Sequence, residues 1–122
     1  MAGKFVIITA KNGEFTFNLK ASNGEVILTA SETYTTMDAC ESGIASVKKN
    51  AGAPVEDQTR DETLKHPKYE LYKDKAGEYR FRLKAANGQT IAVSEGYTTR
   101  SACLNGVESV QRSSVGAEIK EI

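Results

Sequence analysis

The sequence predicts an α+β domain made of two tandem βββαβ units, whose sheets merge into one antiparallel sheet with both helices on one face. Three observations predict it. The chain repeats itself at a spacing of 64 residues. Within each copy, a period-two stretch gives way once to a helical stripe. One amphipathic helix is too narrow to cover a three-stranded sheet, so two-layer burial asks the copies to share one. At 122 residues the chain suits a single domain, 1–122. It divides into a first repeat over 1–55, a polar connection over 56–67 containing Glu56-Asp57, Asp61-Glu62 and Pro67, and a second repeat over 68–122.

The elements follow in order. Phe5 to Thr9 is a short apolar run closed by Asn12-Gly13. Phe15, Phe17, Leu19 and Ala21 then alternate with Glu14, Thr16, Asn18 and Lys20, the pattern of a strand with one buried and one wet face. Asn23-Gly24 leads into Glu25 to Ser31, and both Asn-Gly pairs suit the positive φ of tight hairpins. Thr35 or Thr36 can cap a helix whose Met37, Cys40, Ile44 and Val47 form one stripe. Gly43 lies on that stripe. A mid-helix glycine costs on the order of 1 kcal/mol relative to alanine, so its recurrence as Gly106 predicts a close approach to a neighbouring element. Gly52 ends the helix and Val55 marks a short fourth strand.

The second copy repeats the scheme with Tyr79, Phe81, Leu83 and Ala85, then Asn87-Gly88, then Cys103, Val107 and Val110, and finally Gly116 and Ile119. It departs in two places. Ala76-Gly77 replaces an Asn-Gly pair, which points to a turn of another type, and Arg100 stands where Met37 does, which points to a more exposed first helical turn.

The recurring N-G-x-(F/Y)-x-F-x-L-K-A-x-N-G, followed by S-E-x-Y-T-T and by G-(I/V)-x-S-V, resembles the YegP-like family of small bacterial and archaeal proteins. The likeness runs from Lys4 to Val47 and again from Lys68 to Val110. It implies a βββαβ unit present twice in one chain or once per subunit of a homodimer, with merged sheets and exchanged end strands. It implies no established activity, catalytic residue or ligand.

Composition narrows the function without naming it. The longest apolar run, Phe5-Val6-Ile7-Ile8, is far shorter than the roughly 20 residues of a membrane span, and no signal-peptide core precedes it. The expectation is a cytoplasmic monomer with internal pseudo-two-fold symmetry and no membrane association. Lys+Arg and Asp+Glu balance at 16 each. The halves differ, with 6 cations against 9 anions over 1–62 (net −3) and 10 against 7 over 63–122 (net +3), so any charged surface is local.

Chemistry-bearing residues are sparse. Cys40 and Cys103 fall on the inward helical stripes, where a thiol is a small hydrophobe; no disulfide is expected. Two cysteines and the lone His66, without CxxC or HExxH spacing, predict no metal and no cofactor. His66 lacks a counterpart in the first copy and reads as an exposed residue of the connection. Glu14 with Glu78, and Glu32 with Glu95, recur between copies but read as solvated or turn-stabilising, since nothing in the pattern retunes a carboxyl. Tyr34 and Tyr97 are expected to pack their rings at the sheet edge.

Three functional readings follow. The first is a non-enzymatic binding or interaction module for an unknown protein or ligand. The second is single-stranded nucleic-acid binding through a basic row of Arg80, Arg82 and Lys84, with Tyr72 on the same face. The third, an enzyme with a site shared between the repeats, lacks a nucleophile, a base and a pocket.

Overall fold

The computed structural model describes residues 3–60 and 63–121. The first repeat supplies β1 (Lys4–Thr9), β2 (Phe15–Lys20), β3 (Val26–Ala30), α1 (Met37–Asn50) and β4 (Val55–Asp57). The second supplies β5 (Lys68–Lys73), β6 (Tyr79–Lys84), β7 (Thr90–Val93), α2 (Arg100–Ser114) and β8 (Glu118–Glu121). All eight strands form one sheet in the order β4-β5-β6-β7-β3-β2-β1-β8. The halves meet at its centre, where β3 and β7 run antiparallel with Ala30 opposite Ala92.

Each repeat gives its last strand to the other. β4 pairs with β5, and β8 pairs with β1, both in parallel. The sheet is therefore mixed, its six inner strands antiparallel and its two outer pairs parallel. Hairpins impose antiparallel neighbours; a strand delivered by a helix is free of that constraint. The helices are long enough for the transfer. Each rises about 21 Å, and four inter-strand steps, from β3 to β4 or from β7 to β8, span about 19 Å.

The polar composition of Glu56 and Asp57 suggests a connection, but they end β4 and are 2% and 4% exposed. The partners that make this stretch a strand come from the other repeat, so the local pattern does not show it. Asp61 and Glu62 lie outside the described residues.

The turns use only their glycines at positive φ, between 83° and 87° for Gly13, Gly24, Gly77 and Gly88. Each of these glycines donates its N–H to the carbonyl three residues earlier. The asparagines contribute through their side chains instead: Asn12 Oδ1 accepts the Glu14 N–H at 3.0 Å, and Asn23 and Asn87 do the same two residues on. The turn holding Ala76 keeps this backbone geometry. Asp74 replaces the missing asparagine, its Oδ1 accepting the N–H groups of Ala76 and Glu78 at 2.9 Å.

Thr36 and Thr99 cap the helices, each hydroxyl oxygen accepting the N–H three residues on at 3.1 Å. Both helices lie on the same face of the sheet, over a single apolar cluster that includes Phe5, Ile7, Phe17 and Leu19 with their counterparts Tyr69, Leu71, Phe81 and Leu83. Tyr34 and Tyr97 explain the mid-helix glycines. Tyr34 bridges to Phe15 at the sheet margin, stacks on Phe17 at 6.3 Å and brings its hydroxyl onto the helix. A Cβ on Gly43 would stand 2.5 Å from that oxygen and 3.1 Å from the Phe17 ring; Gly106 meets Tyr97 and Phe81 in the same way. An alanine at either position would have to displace an aromatic ring.

Candidate functional site

The face of the sheet away from the helices carries most of the polar strand residues of the second repeat. Alternation places Glu56 of β4, Lys68, Glu70 and Tyr72 of β5, and Arg80, Arg82 and Lys84 of β6 there together. Register then fixes the pairs: Lys68 opposite Lys84, Glu70 opposite Arg82, Tyr72 opposite Arg80, and Glu56 opposite Glu70.

The structure brings the predicted basic row together and matches each of its members with a carboxylate. Arg80 Nε lies 2.7 Å from Asp74 Oδ2. Arg82 Nε lies 2.5 Å from Glu70 Oε1, with its guanidinium 4.4 Å above the Tyr72 ring. Lys84 Nζ stands 4.0 Å from the same Glu70 oxygen. Deeper in the sheet, Lys68 Nζ is held between Glu56 at 2.7 Å and Glu70 at 3.2 Å, its side chain 7% exposed. What reads in sequence as a basic row is an ion-pair network.

The carboxylates of this network are fixed anions. The hydrogen bond from Lys68, opposed by burial and helped by the Leu64 N–H and the Gln58 amide, pulls Glu56 down to about 2. Burial pushes Glu70 up, but Arg82 and Lys68 hold it below its ordinary value. Asp57 faces the helix side, where Arg100 Nε reaches its Oδ2 at 2.5 Å. Against the burial that raises it, Thr59 and Arg100 keep Asp57 low. Arg100 thus anchors the first turn of α2 while its side chain stays 35% exposed. Here the repeat's apolar contact is replaced by an ion pair to the exchanged strand.

Elsewhere the candidate residues are occupied structurally. Cys40 and Cys103 are free and fully buried, and burial pushes the Cys103 thiol up to about 11. Glu14 accepts from the Asn12 amide and from the Thr33 hydroxyl. Glu32, Glu95 and His66 are exposed. Among the described residues no three His, Cys, Asp or Glu side chains gather in a way that could hold a metal, and no helix is long and apolar enough to cross a membrane.

Residues 10–57 and again 74–121 match the model of a domain of unknown function, DUF1508. The chain belongs to the DUF1508 family. The first DUF1508 match ends at Asp57, where β4 ends. Among the relatives, the YegP protein of Yersinia pestis is 43% identical over 120 residues, covering 98% of this chain and 96% of its own. A second relative, Atu0232 of Agrobacterium fabrum, is 49% identical over 55 residues, which is 45% of this chain and 89% of that protein. The solution NMR structure of Escherichia coli yegP, a protein of unknown function, has a similar fold. Its TM-score is 0.80 at 36% identity, covering 99% of this chain and 93% of that one.

The sequence reading missed two groups, the ion pairs of Glu56 and Glu70 with Lys68 on the helix-free face and the pair of Asp57 with Arg100 on the helix side. The available signal was a mismatch between copies: Glu70 answers Val6 and Glu56 answers Lys120 at the 64-residue spacing.

Proposed function

We propose that this protein is a non-catalytic binding module that meets its partner through the helix-free face of the sheet. One observation carries the reading. The perturbed carboxyls and thiols are moved away from catalysis: Glu56, Asp57, Glu70 and Asp74 are held low as fixed anions, while Cys40 and Cys103 are pushed up as thiols. The helices cover the opposite face, so recognition falls to the polar side chains of the strands. On this reading the protein works as a cytoplasmic monomer. Free cysteines suit a reducing compartment, and exchanging β4 and β8 within one chain completes the sheet.

The same ion pairs argue against nucleic-acid binding at Arg80, Arg82 and Lys84, because a phosphate there would compete with Asp74 and Glu70. Replacing all three by alanine is expected to lower stability by about 2–3 kcal/mol. Affinity for single-stranded RNA should stay unchanged. A steep, salt-dependent loss of RNA affinity in the triple variant would restore the basic-row reading.

Amide chemical-shift mapping tests the proposal, using 15N-labelled protein and a panel of short acidic, basic and aromatic peptides. Shifts are expected on β1, β2, β5 and β6. A response confined to the outer faces of α1 and α2 would overturn it.

A further inference from the structure

The helix-free face breaks its own symmetry at the first-repeat end. Lys4 and Lys20 are the counterparts of Lys68 and Lys84, and they stand opposite one another across β1 and β2 as those do across β5 and β6. Like charges so placed repel, with Cβ atoms about 5 Å apart. In the second copy Glu56 and Glu70 relieve the repulsion. In the first, Glu70 is replaced by the buried Val6 and Glu56 by Lys120, which lies opposite Val6 in the register. The carboxylates are gone and a third ammonium is added.

Among the described residues, Lys4, Lys20 and Lys120 have no carboxylate within ion-pair distance. This includes Glu118, which is exposed and opposite Lys4 in the register. With Glu118 counted against the three lysines, these described residues keep a surplus of two positive charges. Lys4 and Lys120 line a cleft of about 360 Å³ together with Gly3, Ser22, Gly116 and Glu118.

We infer that Lys4, Lys20 and Lys120 form a recognition site for the carboxylates of an acidic segment of a partner polypeptide. The inference rests on the helix-free face being the binding surface, and it names the chemistry that surface takes. The second copy shows that chemistry: one lysine ammonium accepted by two carboxylates, at 2.7 and 3.2 Å. A polypeptide fits better than a free acid because the cleft is bounded by β8, whose outer edge pairs with no strand among the described residues. An extended acidic segment meets backbone as well as charge there.

Lys120→Glu is the informative variant, because it places a carboxylate where the other copy has Glu56. The position is exposed, and the amide spectrum itself reports whether the fold is kept; if dispersion is lost, Lys20→Gln carries the same expectation. The 15N-labelled full chain is titrated at two salt concentrations with blocked tetraglutamate and, in parallel, with succinate and inorganic phosphate. Tetraglutamate is expected to shift amides on β1, β2 and β8, to bind more weakly at the higher salt, and to lose at least tenfold in affinity in the variant. Succinate or phosphate binding as tightly as the peptide, an unchanged affinity in the variant, or no peptide response at low salt would each overturn the inference. If tetraglutamate fails while other peptides shift the helix-free face, only the lysine site falls. If none does, the binding-surface reading falls with it.

Discussion

Phe81→Ala is expected to lower the free energy of unfolding by about 3–5 kcal/mol. Phe81 is fully buried, meets Tyr69 edge-on at 5.8 Å and stacks on Tyr97 at 6.3 Å, with its ring beneath Gly106. Truncation leaves a cavity and removes the surface that holds Tyr97 against the helix. Phe17→Ala should behave alike, since Phe17 contacts Phe5, Tyr34 and Gly43 in the same arrangement. Urea unfolding of both variants checks this. A change below about 1 kcal/mol in either, well under the cost of an emptied aromatic site, would contradict the common core.

Lys68→Ala should cost a comparable amount at neutral pH, about 3–5 kcal/mol, because it leaves Glu56 and Glu70 close together and buried without their shared cation. The pH dependence is the sharper test. In the native protein Glu56 sits at about 2, against 4.5 for an ordinary glutamate. Its folded pKa is depressed, so the stability it contributes is present above about pH 4.5 and is lost as pH falls towards 2. Without Lys68, burial and the neighbouring Glu70 carboxylate push Glu56 up, while Arg82 still holds Glu70. The folded state then binds protons more readily than the unfolded one, and acidification from pH 7 to 5 should recover part of the loss. The unfolding midpoint of the variant is expected to rise over that range while the native protein's does not. Parallel curves would mean that Lys68 is not what holds Glu56 ionised.

Much of the fold is legible in the sequence because its determinants are local. The alternation of Phe15, Phe17 and Leu19, the threonine caps and the recurrent Gly43 and Gly106 each report on a neighbourhood a few residues wide. The close approach implied by the glycines proves to be a tyrosine hydroxyl. What escapes is set by pairing across the repeats. Glu56 and Asp57 look like a polar connection until β5 lies beside them, and Arg100 looks like a lapse in an apolar stripe until Asp57 arrives from the exchanged strand. Arg80, Arg82 and Lys84 look like a basic row until register places Glu70 opposite Arg82 and the Asp74 turn beside Arg80. Charge read along a strand says nothing of the charge across it. The two copies of this chain differ most in that respect.

The exchange of end strands also governs the order in which the protein can be made. On the ribosome β1 emerges first and β8 last, yet the two are neighbours. The edge of β1 stays open until β8 has been translated, and β4 has no sheet to join until β5 follows it. The first repeat cannot finish folding while the second is still in synthesis. Sheet closure is therefore a late, long-range event, slow by the measure of sequence separation, and the nascent chain carries an unpaired strand edge for most of its translation.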